Sequence, residues 1–417
     1  MSFSTNIYSF MNYSLSSNNT NLKIARFLIG FYIAYNVFLA PIGYYVPRLS
    51  MILLVLAIFF TVEAKRVHLS FEFKCLLLFT FYSLLSGYLV AINKGMVTQQ
   101  VSFLVESVIA GIIIFNVSTD ENELKQIVGF FSAGAIIVGV YLLFNGVALI
   151  TDSGRLSLNE DFNSNTLGIM LMYGIWGVMF FFGSNKMTII KIALIVFLSL
   201  VMFYSIIQTG SRKSSLSAIF LIVSFAIFIF LGKDKSRGAS KIIIITAFIA
   251  LVVYAYFWYI DSFLMRSEML MNKMDFIHDD GDFRQQIIKD SIRVWIENPI
   301  FGVGLNNNRF HTIYKMYAHN SFAEILACTG IIGAILFFPI FWRFIVFFLS
   351  SLKKIKELYT TPSVYFMCIL ILAYFFVCYT QINLYNQTHM FITYFILSFI
   401  SIRTYKTKNA KKNTFAV

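Results

Sequence analysis

The feature that most constrains this chain is a succession of apolar runs, each about twenty residues long, separated by short polar or charged breaks. A run of that length crosses a bilayer as a helix, because about 20 residues at 1.5 Å each cover the hydrocarbon core. The runs lie at 24–46, 49–62, 73–92, 100–118, 126–150, 164–183, 188–208, 214–232, 241–260, 321–349, 363–380 and 388–402. They predict an all-α, polytopic membrane protein of about 12 transmembrane helices with one long extramembrane segment. Composition agrees: only 13% of residues are charged, against about a quarter in soluble domains. Mean hydropathy is +0.75, so an array of soluble domains is excluded. The N-terminus lacks the basic start and small-residue cleavage site of a signal peptide, so the first span is expected to be retained.

Charge sets the expected orientation. The net charge of +13 could suggest nucleic acid, but on a membrane chain it reflects Lys and Arg held in cytoplasmic loops, and nucleic-acid binding is discarded. With a cytoplasmic N-terminus, 21 of the 33 Lys and Arg fall inside, among them Lys23, Arg26, Arg343, Lys354 and Arg403. Five fall in short outer loops: Arg48, Lys94, Arg155, Arg212 and Lys213. The remaining seven lie in the long segment 261–320, which escapes the rule. Both termini are therefore expected in the cytoplasm. The organisation reads as a membrane bundle over 1–260, an outer segment over 261–320, further spans over 321–402 and a basic tail over 403–417. The cysteines Cys75, Cys328, Cys368 and Cys378 sit inside apolar runs with no paired spacing, which implies neither disulfides nor zinc.

Basic residues in short outer loops need a reason. In Gln208-Thr209-Gly210-Ser211-Arg212-Lys213-Ser214, Gly210 and Ser211 end one span and start the next, with Ser211 a candidate N-cap. Arg212 and Lys213 then occupy the first helical turn, where the dipole disfavours cations by roughly 0.3 to 1 kcal/mol and an anion reverses the sign. A guanidinium beside helix N-terminal N–H groups makes a phosphate site. A snorkelling pair bound to lipid headgroups is the other open reading. Farther on, Phe283, Ile287, Ile288, Ile292, Trp295 and Ile296 recur at helical spacing, Asp282 with Gln285 resembles a capping box, and Pro299 ends the element. The prediction is an amphipathic helix on the outer interface with Arg284 in its first turn and Arg293 on the solvated face.

Gly302-Val303-Gly304 follows no strand and reads as a tight turn without a nucleotide. The acidic cluster His278-Asp279-Asp280-Gly281-Asp282 lacks ligand spacing and reads as a solvated loop, so neither metal nor cofactor is expected. Ser321 with Glu324 matches a capping box at the head of the next span. His319 lies two residues before that cap, at the positive dipole end, which keeps its ring neutral and suits it as a general base. His311 and His389 are the alternatives, neither so placed. Glu106 is the carboxylate lying well within a span, where it lines a cavity or hydrogen-bonds a neighbouring helix.

Thr209-Gly210-Ser211-Arg212 resembles the Ser-Arg turn of the O-antigen ligase and polymerase family of bacterial membrane glycosyltransferases. Arg284, Pro299 and Gly302-Val303-Gly304 are similar to that family's order, as are His319-Asn320 with Gly330-Ile331-Ile332-Gly333. Arg155 through Asn163 and Asn165 resemble a weaker feature of it. The resemblance covers roughly 190–345. It implies an inner-membrane enzyme of lipopolysaccharide biosynthesis, with its site facing the periplasm, that takes a glycan from undecaprenyl diphosphate. Arg212 and Arg284 would hold the diphosphate while His319 accepts the proton of an acceptor sugar hydroxyl, inverting the anomeric carbon. Ser211, Lys213, Arg155, Asn320 and Glu324 would support them. Diphosphate is a good leaving group, so cationic stabilisation suffices and no metal is demanded. Expected partners are the lipid-linked oligosaccharide, an acceptor glycan or lipid A-core, membrane lipids and other polysaccharide-assembly proteins. The stretch from Gly304 to His319 is shorter than in many lipid A-core ligases, which favours a repeat-unit polymerase. A flippase or transporter would place ionisable groups near the midplane and show repeated halves, whereas here only Glu106 is deep and no half-to-half repeat is visible.

Overall fold

The computed structural model describes residues 19–42, 46, 48–64, 67–145, 158, 163–183, 187–231, 246, 283–354, 358, 360–382 and 384–415. The expected span at 241–260, Arg155 and the 278–282 cluster lie outside the described residues. Among the described residues the chain is all-helical. The helices are α1 (Thr20–Ala34, continued by a π turn over Tyr35–Leu39), α2 (Leu49–Glu63), α3 (Phe71–Val90), α4 (Lys94–Val117), α5 (Glu121–Asn145), α6 (Ser164–Phe182) and α7 (Ile189–Gln208). They continue as α8 (Arg212–Leu231), α9 (Phe283–Glu297), the single turn α10 (Asn308–His311), α11 (Ser321–Leu352), α12 (Pro362–Thr380) and α13 (Gln387–Phe415). Nine of these, α1, α3–α8, α11 and α12, are long and apolar enough to cross a membrane, and α2 is a shorter apolar helix.

Side-chain oxygens start several helices: Asn19, Ser70, Asn93, Asn163 and Thr188 each accept a backbone N–H of the following turn, which satisfies donors that lipid cannot. Small residues then let helices approach. A Cβ on Gly111 would lie 2.6 Å from the Tyr394 ring, and one on Gly174 would lie 2.4 Å from Ala135 Cβ. Such contacts replace the hydrophobic drive that is missing between helices in lipid. The interior is aromatic, and its largest polar side chains bond across helices. Trp176 donates to the Phe366 carbonyl at 2.9 Å, and Tyr374 pairs with Thr393 at 2.7 Å.

Two sets of polar contacts define the ends of the bundle. At one end Arg26 ion-pairs with Glu123, Arg403 with Glu121 at 2.9 Å and Arg343 with Glu72 at 3.5 Å. At the other, Asn93 and Asn307 bond reciprocally, Gln100 donates to the Leu384 carbonyl, and Lys213 donates to the Thr380 carbonyl. Arg212, Arg284 and His319 all belong to this second end, opposite the start of α1. Arg26, Arg343 and Arg403, three of the residues that fix the expected cytoplasmic side, gather at the first.

Candidate active site

The turn between α7 and α8 folds as its sequence suggests. Thr209 caps α7, and Gly210 takes a left-handed φ of 64°, a conformation that costs glycine nothing. Its N–H closes on the Ile207 carbonyl at 2.9 Å. Ser211 stands just ahead of α8, but its hydroxyl lies 2.8 Å from Ser214 Oγ, and both serines are buried. Arg212 opens the helix and is exposed. Lys213 turns inward instead, with Nζ 3.0 Å from the Thr380 carbonyl.

Helix α9 is amphipathic. Ile287, Ser291 and Val294 are buried, and Val294 packs with Val303 and Ala327. Arg284, its second residue, is exposed. Arg293 does lie on the outer face but is engaged. It ion-pairs with Asp290 and Glu297, each at 2.7 Å, and donates to the His311 carbonyl. The proposed capping partner Asp282 lies outside the described residues.

The chain from Pro299 to Gly304 is more than a turn. Helix α11 breaks at Gly330, where φ is 61° and ψ is −166°; the uninterrupted span expected over 321–349 is therefore two half-helices. The break frees backbone groups that must find partners. Val303 N–H donates to the Ala327 carbonyl at 3.0 Å and Gly304 N–H to that of Cys328 at 2.8 Å. Tyr82 donates to the Thr329 carbonyl at 2.9 Å, and Ile331 N–H to the Pro299 carbonyl at 2.9 Å. Gly302, at φ 68°, lies so close that a Cβ would meet the Cys328 carbonyl carbon at 2.4 Å.

His319 is held at φ 50°, a region non-glycine residues seldom enter. Its ring packs on Tyr317 at 4.3 Å between centroids, and the Arg309 guanidinium lies over the other ring at 5.6 Å. Burial, then the charges of Lys213 and Arg284, push the His319 pKa down to about 4. The imidazole is thus neutral at pH 7, and residues from α8 and α9 converge on it. The α8 cation that acts on the ring is Lys213, with Arg212 one residue away on the exposed side.

The capping box expected from Ser321 and Glu324 is corrected. Asn320 is the N-cap, accepting from Phe322 N–H at 2.9 Å and Ala323 N–H at 3.0 Å, while its amide donates to the Tyr379 carbonyl. The helix therefore starts one residue earlier, and His319 immediately precedes the cap. Glu324 falls one place too late to reach back and turns inward; Ser321 Oγ donates to the Gln381 carbonyl at 2.6 Å. Of the alternative histidines, His389 is 0% exposed and bonded to Tyr173. His311 sits partly buried in α10, its carbonyl engaged by Arg293. Glu106 accepts from Tyr32 on α1 at 2.7 Å, the neighbouring-helix alternative.

Sequence reasoning passed over the run Asn306-Asn307-Asn308 and its neighbours. Asn306, at φ 60°, accepts from Arg309; Asn307 ties the segment to Asn93; Asn308 bonds Ser291 on α9 and Glu324 on α11. Three consecutive asparagines after a Gly-x-Gly were the available signal, since asparagine both tolerates positive φ and bonds backbone.

Fold and site together define a polytopic, all-helical membrane protein that gathers basic side chains around a neutral histidine at one end of its bundle. Residues 197–338, about a third of the chain, match the family model described as O-antigen ligase. The match spans Arg212, Arg284, His319 and the break at Gly330, and it supports an O-antigen ligase/polymerase family and an O-antigen ligase-type function. In general terms such a function implies a lipid-linked glycan and an acceptor as partners. No curated protein and no solved structure matches the chain.

Proposed function

We propose that the protein is an inverting membrane glycosyltransferase that moves a glycan from undecaprenyl diphosphate to an acceptor sugar hydroxyl at the periplasmic face, acting as a repeat-unit polymerase. The observation that carries this is the convergence of Lys213 and Arg284 on the neutral His319. His319 takes the proton from the acceptor hydroxyl as that oxygen attacks the anomeric carbon from the face opposite the diphosphate. The bond to the diphosphate breaks, and undecaprenyl diphosphate leaves with the electron pair. Arg212, Arg284 and Lys213 hold the departing charge, the type of stabilisation that contributes most in enclosed sites. A ring with a pKa near 4 is a weak base when the site is empty. An anion between the two cations cancels their repulsion and raises the ring's basicity when the donor arrives.

The test is a deletion strain of a Gram-negative host complemented with variants. Arg212→Ala, Arg284→Ala and His319→Ala should reach the membrane and yield lipopolysaccharide carrying a single repeat unit. A full-length ladder from His319→Ala would end the general-base assignment. Bare core with long chains accumulated on undecaprenyl diphosphate would make the protein a ligase that transfers to lipid A-core. Flipping of lipid-linked units lost along with chain assembly would favour a transporter.

A further inference from the structure

Glu324 is 1% exposed, and it accepts four hydrogen bonds from four parts of the chain. Oε2 receives the Ala318 N–H at 2.9 Å and the Asn308 amide at 3.0 Å. Oε1 receives the Tyr385 hydroxyl at 3.0 Å and the Cys328 thiol at 3.4 Å. Each donor reaches onward. Asn308 also donates to Ser291 of α9, the helix that carries Arg284, and Tyr385 Oη accepts from Asn306 N–H. Ala318 is the residue whose peptide leads into the left-handed His319. Among the described residues no cation ion-pairs with Glu324; its partners are neutral donors. Such a carboxylate acts as an acceptor with four directions rather than as one half of a charge pair.

We propose that Glu324 is a positioning residue: it fixes the Ala318–His319 turn and the α9 segment to one anchor, and so sets the His319 ring in register with Arg284. This rests on His319 being the base of the proposed transfer. Nothing in the arrangement requires its charge. A glutamine in its place would keep a carbonyl oxygen for Ala318 and Asn308. Its amide would turn to Tyr385 and Cys328, whose hydroxyl and thiol can accept as well as donate. An aspartate would keep the charge and withdraw the oxygens from Ala318 by about one methylene.

Variants of the full chain, assayed in membranes for glycan transfer from lipid-linked donor with abundance checked, separate these roles. Glu324→Gln should keep kcat within about tenfold of native, because it retains an acceptor for the Ala318 N–H and the Asn308 side-chain amide. Glu324→Asp should lose about 100-fold in kcat with KM little changed, the cost of a displacement on the order of 1 Å at the reacting group. Any other order, Asp at or above Gln in particular, overturns the proposal and points to a needed charge. In a His319→Ala background, Glu324→Asp should lower the residual rate no further, since the group it positions is gone. A further drop equal to that in the native background also overturns the proposal while leaving His319 as the base. A fully active His319→Ala protein, by contrast, removes the base assignment itself.

Discussion

His319 combines a strained backbone with a perturbed ring, and both follow from its neighbours. The Tyr317 ring packs against it, and burial with the charges of Lys213 and Arg284 holds its pKa at about 4 against an ordinary value near 6.5. Between those values the unfolded chain binds a proton there and the native chain does not. This site's contribution to stability is therefore constant above about pH 6.5 and falls as pH drops toward 4. For activity, kcat/KM reports the free enzyme and kcat the donor complex. The acid limb of kcat should lie at higher pH than that of kcat/KM, because bound diphosphate offsets Lys213 and Arg284. Coincident limbs would mean the anion does not sit between them. Replacing Arg284 with Gln should move the kcat/KM limb upward as well, and Arg284→Lys should lose much of the activity because an ammonium lacks the bidentate fork.

At the scale of elements, the break in α11 is held by geometry that only glycine tolerates. Gly330→Ala would place a Cβ 2.2 Å from the Ile300 carbonyl oxygen at a left-handed φ. The backbone strain alone costs about 1–3 kcal/mol, so this variant should lower the melting midpoint in detergent. Gly139→Ala, inside the regular helix α5, lacks that φ, and its Cβ would lie 3.3 Å from the flexible Met202 side chain, so it should cost less; equal losses would count against the break. The sequence showed the helices well, because apolar runs of bilayer length follow from composition and period. It showed α9 with its Arg284 through amphipathic spacing, and the Gly210 turn through the Gly-Ser pair between two spans. It did not show that Gly330 divides a span, since a lone glycine in an apolar run leaves the period intact. Nor did it show the role of Glu324. Ser321-x-x-Glu324 satisfies a capping pattern by spacing alone, and only the position of Asn320 one residue earlier redirects the carboxylate inward.

For the whole molecule, the charge bias and the two polar ends make one statement about sidedness. Cysteines placed at Lys289 and Lys315, both exposed at the Arg284 end, should react with an impermeant maleimide once the outer membrane is permeabilised. Those at Lys353 and Lys354 should react only after the inner membrane is opened. Labelling in the reverse order would turn the protein over and end the periplasmic assignment. The four native cysteines are buried, so their own labelling should be slight. The broken span also bears on how the protein is made. The groups that close on its exposed carbonyls, Tyr82, Val303 and Gly304, all precede residues 327–329 in the chain, as does Pro299, which receives the Ile331 N–H. Synthesis from the N-terminus thus delivers each partner before the break emerges. A nascent chain that has reached Leu352 already carries the partners of the break itself, whereas Ser321 and Glu324 at the head of the same helix still await Gln381 and Tyr385.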